Sequence, residues 1–357
     1  MIRSPLLRPA GERLRAWSEL LRVSALLSVP GDALAGAAAV GVRPGRGTAW
    51  AVGSSLCLYE AGMALNDWAD RHEDAVERPH RPVPSGRVGP GAALGAAGVL
   101  TAAGLALAAR AGRPPLAVAT ALAATVWAYD LRLKHTPAGP AAMATARGLD
   151  LLLGATATAS VTRRGVPGTP GAGGAGGASH RAAAPPPAAS PLAALPSAAV
   201  LAAHTYAVTA VSRHEVQGGS TATPLGALAA ATVLGALTAS TRPDPYHRGP
   251  HHTAPVRPVP YPPGAGRRPP SGPRRSTAQR VTPLLAAVYV RTAARPLLHA
   301  ALNPSPLLTG RAVGGGIRAM IPLQAALMSR SGATAGGLAL LGLVPLTRRL
   351  ARKVSPT

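Results

Sequence analysis

The chain has 357 residues and a formal net charge of +24, yet only 14% of its residues are charged and 47% are hydrophobic. A soluble domain normally has about a quarter of its residues charged, so this composition excludes an ordinary soluble globular protein. Aromatic residues make up 3% of the chain, too few for base stacking, and we expect no nucleic-acid partner.

Apolar stretches recur along the chain at close to the length of about 20 residues that a helix needs to cross a bilayer. The sequence therefore predicts an all-α, polytopic transmembrane helical bundle that lies in the lipid bilayer. Arg residues, among them Arg291, Arg295 and Arg318, fall within the last three stretches, so these are the least secure spans and we expect nine or ten in all. The candidate spans are residues 23–42, 48–66, 90–109, 114–130, 138–160, 192–211, 221–239, 281–300, 311–328 and 333–347.

Residues 1–22 precede the first apolar stretch and contain five Arg residues, which indicates a basic cytoplasmic lead-in. Residues 23–357 form the predicted transmembrane domain. Two inserts rich in Gly, Ala, Pro or Arg, residues 162–190 and 241–280, interrupt it and are predicted to be disordered linkers.

A cytoplasmic N-terminus places the ends of the even-numbered spans on the cytoplasmic side. The polar stretches 66–89, 131–137 and 212–220 then share that side and carry many Lys and Arg residues, as the positive-inside rule expects. The Arg-rich insert 241–280 falls on the other side, and this conflicts with the rule.

The second span ends in an unusual concentration of acids, in the segment "LYEAGMALNDWADRHEDAVERPHRPVPSG". If its helix continues, Asn66, Asp70 and Asp74 follow each other at intervals of four residues and Asp67 joins their face. Carboxylate oxygens suit Mg²⁺, which proteins usually share with substrate phosphates. These four residues are therefore predicted metal ligands at a membrane–water boundary, next to a phosphorylated ligand. The alternative is a solvated helix end in which Asp67 and Asp74 pair with basic residues four positions later.

The pattern Asn-Asp-x-x-Asp-x-x-x-Asp followed by "RPHRPVPSGRV" resembles the first signature of the UbiA superfamily of intramembrane prenyltransferases. The segments "WAYDLRLKHTPAGPAAMATARGLDLLLGA", "GIRAMIPLQAAL" and "RRLARKVSPT" are similar to the EboC-like branch. This resemblance implies about nine transmembrane helices around a cavity that opens sideways into lipid. It also implies Mg²⁺-dependent transfer of a prenyl group from a polyprenyl diphosphate to an aromatic or other lipophilic acceptor, by a multi-pass cell-membrane protein with its catalytic loops on the cytoplasmic side.

The resemblance also implies roles for individual residues. Asn66 and the three aspartates would hold the metal on the diphosphate, and Arg71 would contact the diphosphate as well. Tyr129 and Lys134 match the family's Tyr…Lys pair after the fourth helix, and Tyr129 would bind substrate. Lys134 would neutralise the departing diphosphate. The catalytic set carried over in this way is Asp67, Asp70, Asp74 and Lys134.

The family's second acidic signature is degenerate in "TYAVTAVSRHEVQGGS". Alignment of the two Arg-His-Glu tripeptides leaves Glu215 as its one carboxylate, because Thr209, Ser212 and Val216 stand at the acidic positions. Glu215 is predicted to be catalytic and Arg213 to bind substrate. The weak second signature keeps a non-catalytic, UbiA-like component that binds a precursor or partner enzymes as an alternative.

Three more acids fall within predicted spans, where ionisable groups usually face a cavity or a partner. Asp150 follows Arg147 by three residues, which favours either a structural ion pair or a pair of acceptor-binding residues. Asp32 is predicted to line the cavity. Glu60 is a weaker candidate for a base that acts on the acceptor, and the intramembrane acids also leave an ion-coupled transporter open.

Overall fold

The computed structural model describes residues 9–22, 29–164, 190–215, 218–240, 277–342 and 345. All regular secondary structure in these ranges is helical. The helices are α1 (Ala10–Leu20), α2 (Pro30–Ala39), α3 (Arg46–Ala69), α4 (Arg71–Glu77), α5 (Pro90–Ala111), α6 (Arg113–Ala128), α7 (Gly139–Arg164), α8 (Leu195–Ser212), α9 (Ala222–Ala239), α10 (Thr277–Leu302), α11 (Pro306–Arg330) and α12 (Thr334–Gly342). A π-helical turn, Tyr129–Leu133, follows α6, and a 3₁₀ turn, Pro191–Ala194, precedes α8.

The predicted fold class is confirmed, because every candidate span overlaps a helix in the part of the chain that the structure describes. Among the described residues, four helical segments are long and apolar enough to cross a bilayer by length and composition: Pro90–Ala111, Arg113–Leu133, Pro191–Ser212 and Ala222–Ala239. This finding leaves the expected number of nine spans open. The helices also extend into the predicted inserts, since α7 ends at Arg164 and α10 begins at Thr277. Residues 165–189 and 241–276 of the inserts lie outside the described residues.

Close backbone contacts place α2, α3 and α7 beside each other. A Cβ atom added to Gly154 of α7 would lie 2.2 Å from the carbonyl oxygen of Ala33 in α2. A Cβ atom at Gly47 of α3 would lie 2.2 Å from the carbonyl oxygen of Ala157 in α7. Small residues permit this approach, which suits helix association in lipid. The three helices form a tightly packed side of the bundle.

The second half of the bundle packs around a buried polar pair. His204 of α8 has one ring nitrogen 3.0 Å from the hydroxyl of Tyr289 in α10 and the other 3.0 Å from the carbonyl oxygen of Gly316 in α11. A carbonyl only accepts, so His204 Nε2 donates to Gly316, and the Tyr289 hydroxyl then donates to Nδ1 of the neutral ring. These two hydrogen bonds join α8, α10 and α11 in the interior.

The end of α3 is covered by α1 and by the loop that follows α4. Ala16 and Leu20 of α1 are buried in a cluster with Leu65, Val83 and Val88. Glu19 Oε2 accepts a 2.5 Å hydrogen bond from Arg87 Nη1 and so fixes α1 to this loop. The N-terminal lead-in therefore packs on the end of the bundle that carries the acidic signature.

Candidate active site

The acidic signature crosses a break between two helices. The α3 helix ends at Ala69, Asp70 has φ −86° and ψ 3°, and α4 begins at Arg71. Hydrogen bonds still run from the Asp70 N–H to the Asn66 carbonyl at 2.9 Å and from the Asp74 N–H to the Asp70 carbonyl at 2.8 Å. One non-helical residue thus interrupts the continuous helix that the four-residue spacing assumed.

Two of the three aspartates are buried against arginines. Asp74 accepts a 2.7 Å hydrogen bond from Arg81 and lies 3.5 Å from Arg78. Asp67 Oδ1 lies 3.5 Å from the same Arg81 Nη1. The pairing of Asp74 with Arg78 is thus present. The pairing of Asp67 with Arg71 is absent from the described ion pairs, because Arg71 stacks on Trp68 at 4.6 Å and donates to its carbonyl oxygen at 2.8 Å.

The π-helical turn brings a second set of residues to the signature. The Lys134 N–H donates to the Tyr129 carbonyl at 2.9 Å, the five-residue bond that defines this turn. The Lys134 ammonium group contacts the Asp70 carboxylate. On the same turn, Asp130 Oδ1 accepts a 3.1 Å hydrogen bond from the Asn66 amide. The predicted Lys134 therefore does lie at the signature.

A third group of ligand-type side chains lies just outside this contact. His135 Nε2 is 3.8 Å from Glu73 Oε2. One donor atom each from Asp70, Glu73 and His135 lies within 4.8 Å of the others. Glu73 and His135 were absent from the predicted metal set.

A cavity of about 260 Å³ lies between α3, α6, the π-helical turn and α7. Its polar lining includes Asn66, Tyr129 and Asp130 near the signature and Arg147 and Asp150 further along α7. Its apolar lining includes Leu58, Gly62, Met63, Leu122, Val126, Met143 and Ala146. Asn66 is the signature residue that lines this cavity, and Asp70 lies one helical turn beyond it. An apolar chamber thus ends at a charged boundary.

The two predicted acceptor-binding residues bond to other partners than expected. Arg147 Nη1 donates to Asp32 Oδ2 at 2.6 Å, so the predicted ion pair with Asp150 is wrong. Asp150 Oδ2 accepts instead from the Ser55 hydroxyl at 2.7 Å. Asp32 is fully buried, accepts from Gln324 Nε2 at 2.7 Å as well, and does not line the described cavity. Its role is to orient Arg147 and to join α2, α7 and α11.

The second signature lies at the neighbouring edge of the same end of the bundle. Arg213 donates to the Thr136 carbonyl at 2.6 Å, which places the end of α8 beside the turn that carries Lys134. Glu215 is exposed and lies against Gly310 of α11. No described hydrogen bond or ion pair joins Glu215 to the first signature, and the Ser212 hydroxyl bonds to its own helix at Thr209. Val216 lies outside the described residues.

Three residues of this site were not predicted from the sequence. Arg22 lines the cavity, Arg81 lies between two aspartates, and Asp130 holds Asn66. Arg81 stands within the quoted "RPHRPVPSGRV" motif and Asp130 follows Tyr129, so both had a signal in the sequence. Arg22 had none, because it lies far from the motif along the chain.

The first signature fits a hard divalent cation in part. Asp67 Oδ1 is buried and makes no hydrogen bond to the residues that the structure describes, and Asp70 shares its surroundings with Glu73 and His135. Carboxylate oxygens with free lone pairs are suitable ligands for Mg²⁺. Asp74 is different, since both of its oxygens face arginines.

The sequence profile of the UbiA prenyltransferase family matches residues 27–239 of the chain. The chain belongs to this family. Several curated relatives are named digeranylgeranylglyceryl phosphate synthase. The protein from Methanopyrus kandleri is 38% identical over 129 residues, which cover 35% of this chain and 46% of the relative. The protein from Ignicoccus hospitalis is 36% identical over 151 residues, which cover 42% of this chain and 50% of the relative. The chain spans about half the length of these relatives.

Solved structures support the UbiA fold over a larger part of the chain. A structure described as giving insights into digeranylgeranylglyceryl phosphate synthase in membranes superposes with a TM-score of 0.53 and 15% identity, over 91% of this chain and 99% of that one. The apo structure of a UbiA homolog from Aeropyrum pernix gives a TM-score of 0.51 and 15% identity, over 81% of this chain and 96% of that one. This UbiA family member is therefore an integral membrane protein with the family's helical fold.

Proposed function

We propose that the protein is a Mg²⁺-dependent membrane prenyltransferase that moves a prenyl group from a polyprenyl diphosphate to an aromatic or other lipophilic acceptor. The observation that carries this proposal is the contact of Lys134 with Asp70, at the boundary between the acidic signature and an apolar cavity. A cation and free carboxylate oxygens at that boundary suit a diphosphate, and the apolar walls suit a prenyl chain. Family membership supports the same reaction.

Different residues have proposed roles at the two ends of the cavity. Asp67 and Asp70, with Asn66, are the proposed metal ligands, and Asp74 is the least supported member because arginines already face its oxygens. A bound Mg²⁺ would neutralise phosphate charge and so favour departure of diphosphate. Lys134 would exchange Asp70 for a phosphate oxygen and stabilise the negative charge that develops on the leaving group. The apolar walls would exclude water from the allylic cation.

Arg147 and Asp150 are the proposed acceptor-binding residues. Both line the cavity beyond Asn66, and Arg147 is held by the buried Asp32. The names of the curated relatives contain a glyceryl phosphate, so an anionic lipid is one acceptor class to test beside aromatic compounds. The EboC-like assignment and the cytoplasmic location of the loops around Lys134 and Arg213 are further parts of the proposal.

The direct test measures diphosphate release by the purified full chain in lipid nanodiscs, with prenyl diphosphates of several chain lengths. We expect release that requires Mg²⁺. Asp70→Asn should weaken binding of the prenyl diphosphate by about 1.5–3 kcal/mol, roughly 10- to 150-fold, when Mg²⁺ is present. The same change should have little effect in EDTA. Ser212→Ala is the matched control, because that hydroxyl bonds to its own helix.

A non-catalytic UbiA-like component is the second candidate, and the pairing of Asp74 with arginines together with the exposed Glu215 favours it. The two functions predict different results for one variant. Glu215→Gln should lower turnover more than it lowers affinity if the protein is an enzyme. Equal, metal-independent affinity in the wild type and Asp70→Asn, without turnover in any variant, would support the non-catalytic function.

A further inference from the structure

The packing of the N-terminal helix places an arginine side chain at the boundary of the cavity. Arg22 lies just after α1 and lines the cavity together with Asn66 and Asp130. Its Nη2 is 3.7 Å from Oδ1 of Asp67, a residue 45 positions later in the chain. The α1 helix itself is fixed by its buried apolar face and by the bond between Glu19 and Arg87. Arg22 is thus held at this place by the packing of a whole helix.

The backbone of Arg22 is in an unfavourable conformation. Its φ is +47°, the one positive φ of a non-glycine residue among the described residues. L-residues other than Gly, Asn and Asp rarely adopt such angles, and strained backbone tends to persist at functional sites. The side chain that starts from this backbone reaches the cavity and the carboxylate of Asp67.

The contact between Arg22 and Asp67 leaves hydrogen-bonding capacity unused on both sides. At 3.7 Å the two atoms are too far apart for a hydrogen bond, and Asp67 Oδ1 makes none to any described residue although it is buried. The Arg22 side chain is 41% exposed and that of Asp67 is 5% exposed. The other cation near Asp67 is Arg81, which is already bonded to Asp74 at 2.7 Å. Of the two cations beside Asp67, Arg22 is therefore the one without a hydrogen-bonded carboxylate among the described residues, and it lines the cavity.

We propose that Arg22 is a phosphate-binding residue that exchanges Asp67 for the diphosphate of the substrate. Without ligand, its guanidinium offsets the charge of Asp67. With ligand, Asp67 would be free to hold a metal ion, and the planar guanidinium would bind phosphate oxygens, a geometry that suits bidentate contacts. The inference rests on the proposed function, because it assigns the diphosphate of that reaction to Arg22.

The test compares Arg22→Gln with the wild type in two binding measurements that need no catalysis. The first is Mn²⁺ binding by electron paramagnetic resonance without phosphate, and the second is inorganic pyrophosphate binding by calorimetry with Mg²⁺. We expect Arg22→Gln to bind Mn²⁺ several-fold more tightly, because a competing cation is gone. It should bind pyrophosphate about tenfold or more weakly, since a charge-assisted contact is lost.

Arg22→Lys and Arg15→Gln serve as the comparison variants. Arg22→Lys keeps the charge without the planar fork, so its Mn²⁺ affinity should stay near the wild-type value while pyrophosphate affinity falls. Arg15 is on the same helix and pairs with Glu19 at 3.4 Å on the exposed side, so Arg15→Gln should change neither affinity. Arg22→Lys also keeps the test valid if Arg22→Gln does not fold.

Two results would overturn the inference. Unchanged affinities for both ligands would show that Arg22 contacts neither, and a parallel loss of both would indicate a structural role in holding α1. The proposed function is tested by a different measurement. If the wild type releases no diphosphate from any prenyl diphosphate but the two affinities shift in opposite directions, the enzyme proposal fails and the assignment of Arg22 stands.

Discussion

Asn66 donates its side-chain amide hydrogen to Asp130 Oδ1 over 3.1 Å, and this bond joins the acidic signature of α3 to the π-helical turn after α6. The amide oxygen of Asn66 is thereby turned away from Asp130 and left available as a ligand.

Asp130→Ala should remove this orientation and lower Mg²⁺ affinity by about tenfold or more, the usual cost of losing a partner that orients a metal ligand. Asp130→Asn can still accept the hydrogen bond and should lose much less. Thr125→Ala on α6 is the control, because its hydroxyl bonds to its own helix at Ala121. Calorimetric Mg²⁺ titration measures the effect, and equal losses for Ala and Asn at position 130 would contradict it.

Arg81→Gln should destabilise the protein strongly. It removes the 2.7 Å partner of Asp74, whose side chain is 1% exposed, and leaves a buried charge that typically costs about 3–5 kcal/mol. The double variant Arg81→Gln with Asp74→Asn should recover part of the loss. Arg78→Gln removes the longer and more exposed 3.5 Å partner and should cost about 0–1 kcal/mol. Thermal unfolding in detergent measures these losses of stability. Similar midpoints for the Arg81 and Arg78 variants would refute the prediction that Arg81 contributes more.

Glu60→Met should raise stability. Glu60 is 7% exposed, and neither of its carboxylate oxygens has a hydrogen-bond partner within the described part of the chain. Replacing an unsatisfied buried polar group with an apolar one of similar shape removes a penalty of about 1–3 kcal/mol. Glu19→Met, which removes a carboxylate bonded to Arg87, should instead lower stability. A stabilised Glu60→Met protein that has lost turnover would identify Glu60 as a catalytic base, whereas a destabilised one would disprove the expectation.

Gly154→Ala should lower stability, because the new methyl would meet the backbone of Ala33 at 2.2 Å and α2 and α7 would have to separate. Overpacking of this kind typically costs about 1–3 kcal/mol. Gly95→Ala on α5 provides the control, since no atom lies within 4 Å of its added methyl. It should be neutral or stabilise the helix by up to about 1 kcal/mol. A Gly154→Ala protein with an unchanged unfolding midpoint would contradict the close packing described here.

Helix positions were predictable from the sequence because lipid imposes a length and an apolar composition on each span. The candidate span 90–109, for example, differs from the observed Pro90–Ala111 by two residues at one end. The end of α7 and the beginning of α10 were harder to place, since these polar terminal turns have the composition of a linker. The composition of a segment indicates whether it is exposed to solvent, but it does not show where the backbone hydrogen bonds of the helix end.

The candidate site was predictable where its residues share one helix and not where they come from different helices. The spacing of Asn66, Asp67 and Asp70 placed them together, and the family motif added Lys134. The partner of Arg147 was mispredicted because the nearest acid along the helix, Asp150, was preferred to Asp32 of α2. Arg22 could not be predicted at all, since only the packing of α1 brings it to Asp67.

The π-helical turn at Tyr129–Leu133 sets the direction in which Lys134 leaves α6. Each residue of an α-helix rotates the chain by about 100°, so one residue fewer in this turn would carry Lys134 away from Asp70 while α6 and α7 kept their packing. Turns of this type are frequent at functional sites. A single inserted or deleted codon therefore separates a bundle with this lysine at the acidic signature from one without it, and evolution could switch the contact on or off without rebuilding the fold.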